Sequence, residues 1–323
     1  MRAVQLPQGR PDPVGGADGA APDAVRPDAR TAGAAVSLSS SVRAWRDQGR
    51  EISISGRTVF VTDRGEGDLP LVLIHGFPGS SHDWAGLVPL LPGRVITLDL
   101  PGYGFSDKGF DAPYTLFDQT DAVEAVLAEL GVTRCVVVGH DMGDTVTAEL
   151  AHRSNAGELA FAIEQIILTN GSVFIDLAQL TRGQKLTLRL PNRPSLFSMP
   201  TVILRRSLME SFTRTAPPPP GAVDDLIAMI KHDRGDRLMP RLIRYIEERR
   251  VHQDRWTAGF VDFPGPLTMV WGTEDPIAIL PMTERMKALR PATSVVPLPG
   301  IGHWTSIEAP ERLAAEIERA LRA

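Results

Sequence analysis

The sequence of 323 residues holds a single cysteine, Cys135. That excludes an internal disulfide framework and any metal cluster built from thiolates. No run of about 18 apolar residues occurs, so no segment is expected to span a membrane. The N-terminal stretch is rich in Arg, Asp, Pro, Gly and Ala and has no continuous apolar core. It does not read as a secretory signal, and a cytoplasmic protein is expected. Charge imbalance is slight, with a net charge of −5, which gives no reason to expect nucleic acid or a membrane as partner. Tyrosine is scarce: Tyr103, Tyr114 and Tyr245 are all there are.

What is present is an alternation of short apolar runs with longer amphipathic ones, beginning near Ser40 to Trp45. Residues 1–42 precede it as an expected disordered tail, too poor in bulky side chains to offset the entropy of ordering. The alternation predicts a mostly parallel eight-stranded sheet with helices on both faces. Glu51–Thr62 reads as two strands turning at Gly56, followed by strands at Leu71–Ile74, Val95–Leu98, Cys135–Val138, Ile163–Leu168, Leu267–Trp271 and Ser294–Pro297. Helices are expected at His82–Leu91, Leu116–Leu130, Asp144–Arg153, Met282–Leu289 and Pro310–Leu321. Residues 176–260 break the alternation, carry several prolines and contain no good strand. They read as a helical cap inserted into a core made of 43–175 and 261–323. The cationic run His232–Arg250 within the cap reads as a solvated helix face.

Four motifs carry chemistry. Val136–Val138 runs into Gly139-His140-Asp141-Met142-Gly143 and then a helix, which is the strand–turn–helix pattern of a nucleophile elbow. Its glycines let strand and helix approach closely, and its central residue sits at a helix N-terminus where negative charge is stabilised. That residue is Asp141 rather than serine. His303, between the last strand and the last helix, is the candidate general base. Asp275, at the end of the preceding strand, would orient its imidazole, with Glu274 as the fallback. After the first buried parallel strand, Leu73-Ile74-His75-Gly76-Phe77-Pro78-Gly79 can aim the Phe77 amide toward Asp141, beside the Met142 amide, as an oxyanion hole. His75 is expected to brace that turn and His140 to pack.

These motifs, with Asp99–Lys108 and Gly302–Pro310, make the chain resemble the α/β-hydrolases of the epoxide hydrolase and haloalkane dehalogenase branch. Gly139–Phe174 and Tyr245–Trp256 also resemble the mesoderm-specific transcript proteins. The resemblance implies an α/β-hydrolase fold and an Asp141 alkyl-enzyme ester, hydrolysed by water that His303 activates. It implies no metal and no organic cofactor; the partners expected are a small apolar substrate and water.

The leaving group separates the two activities. A dehalogenase stabilises the departing halide with side-chain N–H groups. Met142 and Phe77 offer none, and losing even one such donor costs about 3–4 kcal/mol. Epoxide hydrolases protonate the ring oxygen with a pair of cap tyrosines. Tyr245 aligns with the second of the pair; the first is missing, and Tyr103 and Tyr114 precede the elbow in core loops. Epoxide hydrolysis to a diol therefore leads. Haloalkane dehalogenation, ester hydrolysis and a non-enzymatic binding module on the same scaffold are the alternatives.

Overall fold

Apolar runs of four to eight residues need cover on both faces, and the sheet supplies it. The computed structural model describes residues 38–322. Strands β1 (Arg50–Ile54) and β2 (Arg57–Arg64) form a hairpin. Then come β3 (Leu71–Ile74), β4 (Val95–Leu98), β5 (Arg134–His140), β6 (Ala162–Thr169), β7 (Leu267–Gly272) and β8 (Ser294–Leu298). The spatial order is β1-β2-β4-β3-β5-β6-β7-β8, antiparallel at the β1/β2 and β2/β4 pairs and parallel elsewhere. Every residue of β3, β4 and β7 is buried, as is all of β5 beyond Arg134.

Helices cover both faces: α1 (Ser40–Arg46), α2 (Leu116–Glu129) after β4 and α3 (Met142–Asn155) after β5. Between β6 and β7 the chain forms α4 (Arg182–Leu188), α5 (Thr201–Met209), α6 (Ala222–Lys231), α7 (Met239–Leu242) and α8 (Tyr245–Val261). The C-terminal part adds α9 (Pro281–Leu289), α10 (Thr305–Glu308) and α11 (Pro310–Leu321). This is the α/β-hydrolase fold. No helix among the described residues is long and apolar enough to cross a membrane.

The departures from expectation are local. His82–Leu91 is not one helix but two short 3₁₀ turns, Ser81–Trp84 and Val88–Leu90, with Pro89 in the second. Proline lacks the N–H that a longer helix would need there. The expected tail mostly lies outside the described residues, but its last part, Ser40–Val42, begins α1. Val42 is buried there, as is Trp45, whose indole N–H donates to Ser81 Oγ at 3.0 Å. Residues 176–260 are helical as expected, yet α8 is packed deeply rather than perched above the sheet. A Cβ on Gly259 would lie 2.4 Å from the Ala148 carbonyl oxygen of α3. Tyr245, Trp256 and Phe260 share one hydrophobic cluster with sheet residues such as Val137 and Ile166.

The register of β3 on β5 positions the site. Ile74 pairs with Gly139, so the two chains leave the sheet side by side and residues 76–77 meet residue 141. Glycine is required at this crossing. A Cβ on Gly76 would be 2.5 Å from Asp141 Cβ, and one on Gly143 would be 2.2 Å from the Ile74 carbonyl oxygen.

Candidate active site

Asp141 lies between β5 and α3 with φ 51° and ψ −111°. A non-glycine residue held there stores about 1–3 kcal/mol of strain, which the surrounding packing must offset. The conformation turns its carboxylate, 1% exposed, toward the loop after β3. Oδ2 accepts the Phe77 N–H at 2.9 Å, while Oδ1 has no hydrogen-bond partner among the described residues. Met142 is the first residue of α3, so its N–H belongs to the set that no helical carbonyl satisfies.

His303 and Asp275 come together as the sequence suggested. Nδ1 of His303 lies 2.8 Å from Asp275 Oδ2, and both side chains are buried. Burial alone would lower the imidazole pKa. The neighbouring Asp275 carboxylate outweighs it, with Asp141 adding to the effect, and the pKa is pushed up to about 9. Asp275 is itself fixed: Oδ1 accepts the N–H groups of Ile277 (2.7 Å) and Ala278 (3.0 Å), and Oδ2 also accepts Asn170 Nδ2 at 2.8 Å. Glu274 turns away, its carboxylate taking the hydroxyls of Thr213 and Thr215.

His75 braces its turn, with Nδ1 2.9 Å from the Gly76 carbonyl oxygen and Nε2 accepting the Leu100 N–H at 3.0 Å. His140 donates from Nε2 to the His303 carbonyl oxygen at 2.9 Å. Burial and the adjacent His303 push its pKa down to about 3, so it is neutral.

Tyr245 is buried, 5.6 Å from the Phe77 ring between centroids, with the Gln184 amide beside its hydroxyl. Burial first, and then the Asp141 charge, raises its pKa, so the phenol keeps its proton.

Three residues here were not assigned to the site from sequence. Arg249, one turn after Tyr245 on α8, is 2% exposed rather than part of a solvated face. Its Nε donates to Thr145 Oγ1 at 2.6 Å and its terminal nitrogen to the Asp141 carbonyl oxygen at 3.0 Å. The guanidinium also lies 4.7 Å from the Tyr245 ring centroid. The i, i+4 spacing of Tyr245 and Arg249 was the available signal, but the helix face they share was read as solvated. Asn170 joins β6 to the site. Its Oδ1 accepts the Gly272 N–H at 2.7 Å, and its amide nitrogen serves Gly272 and Asp275, so it is not free to hold a halide. Tyr103 follows β4, the neighbour of β3, and its hydroxyl reaches Met142 Sδ at 3.4 Å beside the elbow.

A cavity lies between the core and the inserted helices. Phe77, His303 and Trp304 form its inner wall, and Ile203, Leu204 and Met239 face them across it. Its mostly apolar wall suits a small apolar molecule.

Residues 71–316 match the family described as "Alpha/beta hydrolase family". The chain is 38% identical over 282 residues to "Putative hydrolase LipZ" of Mycobacterium tuberculosis, covering 85% of this chain and 96% of that one. It is 30% identical over 291 residues to the mesoderm-specific transcript protein of Mus musculus, covering 84% and 85%. The similarity to a "Putative epoxide hydrolase" of Stigmatella aurantiaca is partial: 31% identity over 167 residues, 40% of this chain and 38% of that one.

Proposed function

This chain belongs to the alpha/beta hydrolase family, and we propose that it opens a small apolar epoxide through an ester on Asp141 and releases a diol. The observation that carries the reading is the asymmetry of the Asp141 carboxylate, with Oδ2 on the Phe77 N–H and Oδ1 unpartnered. Oδ1 attacks a ring carbon, and the C–O bond of the ring breaks. The oxygen released takes the hydroxyl proton of Tyr245. Ester formation cancels the charge of Asp141, one of the three carboxylates that hold the His303 proton. The imidazole then loses that proton to solvent and takes another from the attacking water. Water adds to the ester carbonyl carbon, and the oxyanion develops on Oδ2, where the Phe77 N–H already stands and the Met142 N–H joins it. Collapse expels the diol oxygen, which takes the proton of the hydroxyl added from water and so regenerates the carboxylate; the His303 proton restores the Tyr245 phenol, and solvent returns a proton to the imidazole.

Dehalogenation fits less well, because Asn170, Phe77 and Met142 supply no free side-chain N–H for a halide. The test is the intact mass of His303→Gln protein after exposure to an aryl epoxide or, separately, a bromoalkane, with Asp141→Asn as control. A stable adduct equal to the whole epoxide, mapped to Asp141, is the expected result. An alkyl adduct with bromide released would replace this reading by dehalogenation. No adduct from either, in folded protein, would remove the alkyl-enzyme.

A further inference from the structure

The apolar surface of this protein is unevenly spread. Of the large hydrophobic side chains exposed among the described residues, Leu186, Leu190, Leu196, Phe197, Val202, Ile203 and Met209 all fall on α4, α5 or next to them, leaving four for the rest. Scattered exposed apolar residues need no explanation, but a concentration of this kind does. Leu196 and Phe197 are the extreme case, at 75% and 81% exposure.

Their loop is held firmly from behind. Arg237 donates to the Ser195 carbonyl oxygen at 2.7 Å and accepts the Ser195 N–H on its own carbonyl at 2.7 Å. Asp236 accepts the Met199 N–H at 2.8 Å, and Lys231 donates to the Met199 carbonyl oxygen at 2.6 Å. The backbone is thus anchored on both sides of two large side chains that point to solvent. On α5, Leu204 and Leu208 face inward while Val202, Ile203, Arg206 and Met209 face out.

Charge accompanies the apolar surface. Residues 182–206 contain Arg182, Lys185, Arg189, Arg193, Arg205 and Arg206 and not one Asp or Glu. Arg205 pairs with Asp224, and Arg206 lies 4.0 Å from Glu210. The other four are exposed and make no ion pair among the described residues. The net charge of −5 hides this segment.

We propose that α4, α5 and the loop between them dock on an anionic phospholipid surface, with Leu196 and Phe197 entering the acyl boundary and the four free cations lying at the headgroups. Apolar side chains interleaved with cations are the composition of an interfacial segment, which lies on a bilayer without crossing it. A second copy of the chain is the poorer occupant, because a symmetric face-to-face contact would set these cations against their own images. Leu186 and Ile203 line this cavity and are exposed on this same surface, so a lipophilic molecule leaving the bilayer would meet the cavity mouth directly. The docking surface stands whichever bond the site cleaves.

The test is sedimentation of the full chain with vesicles of phosphatidylcholine alone or mixed with phosphatidylglycerol, at low and high salt. Binding to the anionic vesicles, at least about tenfold weaker to the neutral ones and weakened by salt, is expected. Leu196→Ser/Phe197→Ser should weaken it about tenfold or more. Arg189→Glu/Arg193→Glu should do the same, each arginine contributing about fivefold. Thermal melts of both variants should match the parent, since these side chains are exposed. Parent protein left in the supernatant with anionic vesicles at low salt would overturn the proposal. So would Leu196→Ser/Phe197→Ser protein that binds as tightly as the parent. A parent dimer in solution that this double variant dissolves would assign the patch to a second copy instead.

Discussion

Replacing Arg249 with Met removes a buried cation while filling most of its volume, and the structure sets the size of the loss. Two hydrogen bonds go, to Thr145 Oγ1 and to the Asp141 carbonyl oxygen, each worth about 1.5–3 kcal/mol for a charged donor. The contact with the Tyr245 ring adds about 1–2 kcal/mol. Two effects offset part of this. The Asp141 carbonyl oxygen keeps the Asp144 N–H at 3.2 Å, so it is not orphaned, and Met returns some apolar burial. The decisive question is Asp144, buried near Arg249 with both carboxylate oxygens unpartnered. Burial raises its pKa well above the usual carboxylate range against the opposing pull of Arg249, which favours the uncharged form and limits the charge left behind. The net cost is then about 3 kcal/mol, short of the upper range for breaking a buried ion pair. Urea unfolding at pH 7 measures it, and turnover should fall as the elbow loses its clamp to α8. A loss under about 1 kcal/mol would refute the clamp.

Further outcomes follow from the same geometry. The folded His303 pKa of about 9 lies above its unfolded value of 6.5, so the folded state binds this proton more tightly. That stability, about 3 kcal/mol, is fully present below pH 6.5 and is lost as pH rises through 9; urea midpoints should show the decline, and His303→Gln should flatten it. Tyr245→Phe should slow ester formation about 100-fold while leaving hydrolysis of a preformed ester nearly unchanged; rapid-quench kinetics with an epoxide separates the two steps, and equal slowing of both would remove the acid role. Asn170→Ala frees the second oxygen of Asp275 and should lower kcat about tenfold or more with little change in KM, whereas an altered KM alone would place Asn170 in substrate binding. Gly76→Ala should leave the protein unstable or inactive, since its Cβ would overlap Asp141; a fully active, stable variant would contradict the packing described.

Much of this was legible because the informative residues are local. A four-residue apolar run can be buried on both faces only inside a covered sheet, and the elbow needs its glycines within five residues of one another. Asp141, Asp275 and His303 each sit just beyond a strand, so sheet order alone brings them to one edge. Arg249 was misread because its partners Thr145 and Asp141 lie 104 and 108 residues away, and a run of cations looks solvated until the face opposite is known. Asn170 carries no signal of its role, since nothing near it in sequence announces Asp275. Tyr103 was set aside for preceding the elbow, although the loop after β4 opens at the same sheet edge as the loop after β3. His82–Leu91 had a helical pattern, and Pro89 with close packing divided it into two turns.

The central claim, a covalent ester on Asp141, is tested most directly by one turnover in water labelled with ¹⁸O. Excess enzyme reacts with an epoxide that His303→Gln protein traps, and both the diol and the peptide containing Asp141 are weighed. Attack of water on the ester carbonyl predicts label in the Asp141 carboxylate and an unlabelled first diol, whose new oxygen came from the enzyme. Label in the first diol, with Asp141 unlabelled, would mean that water opened the ring directly and that no ester formed.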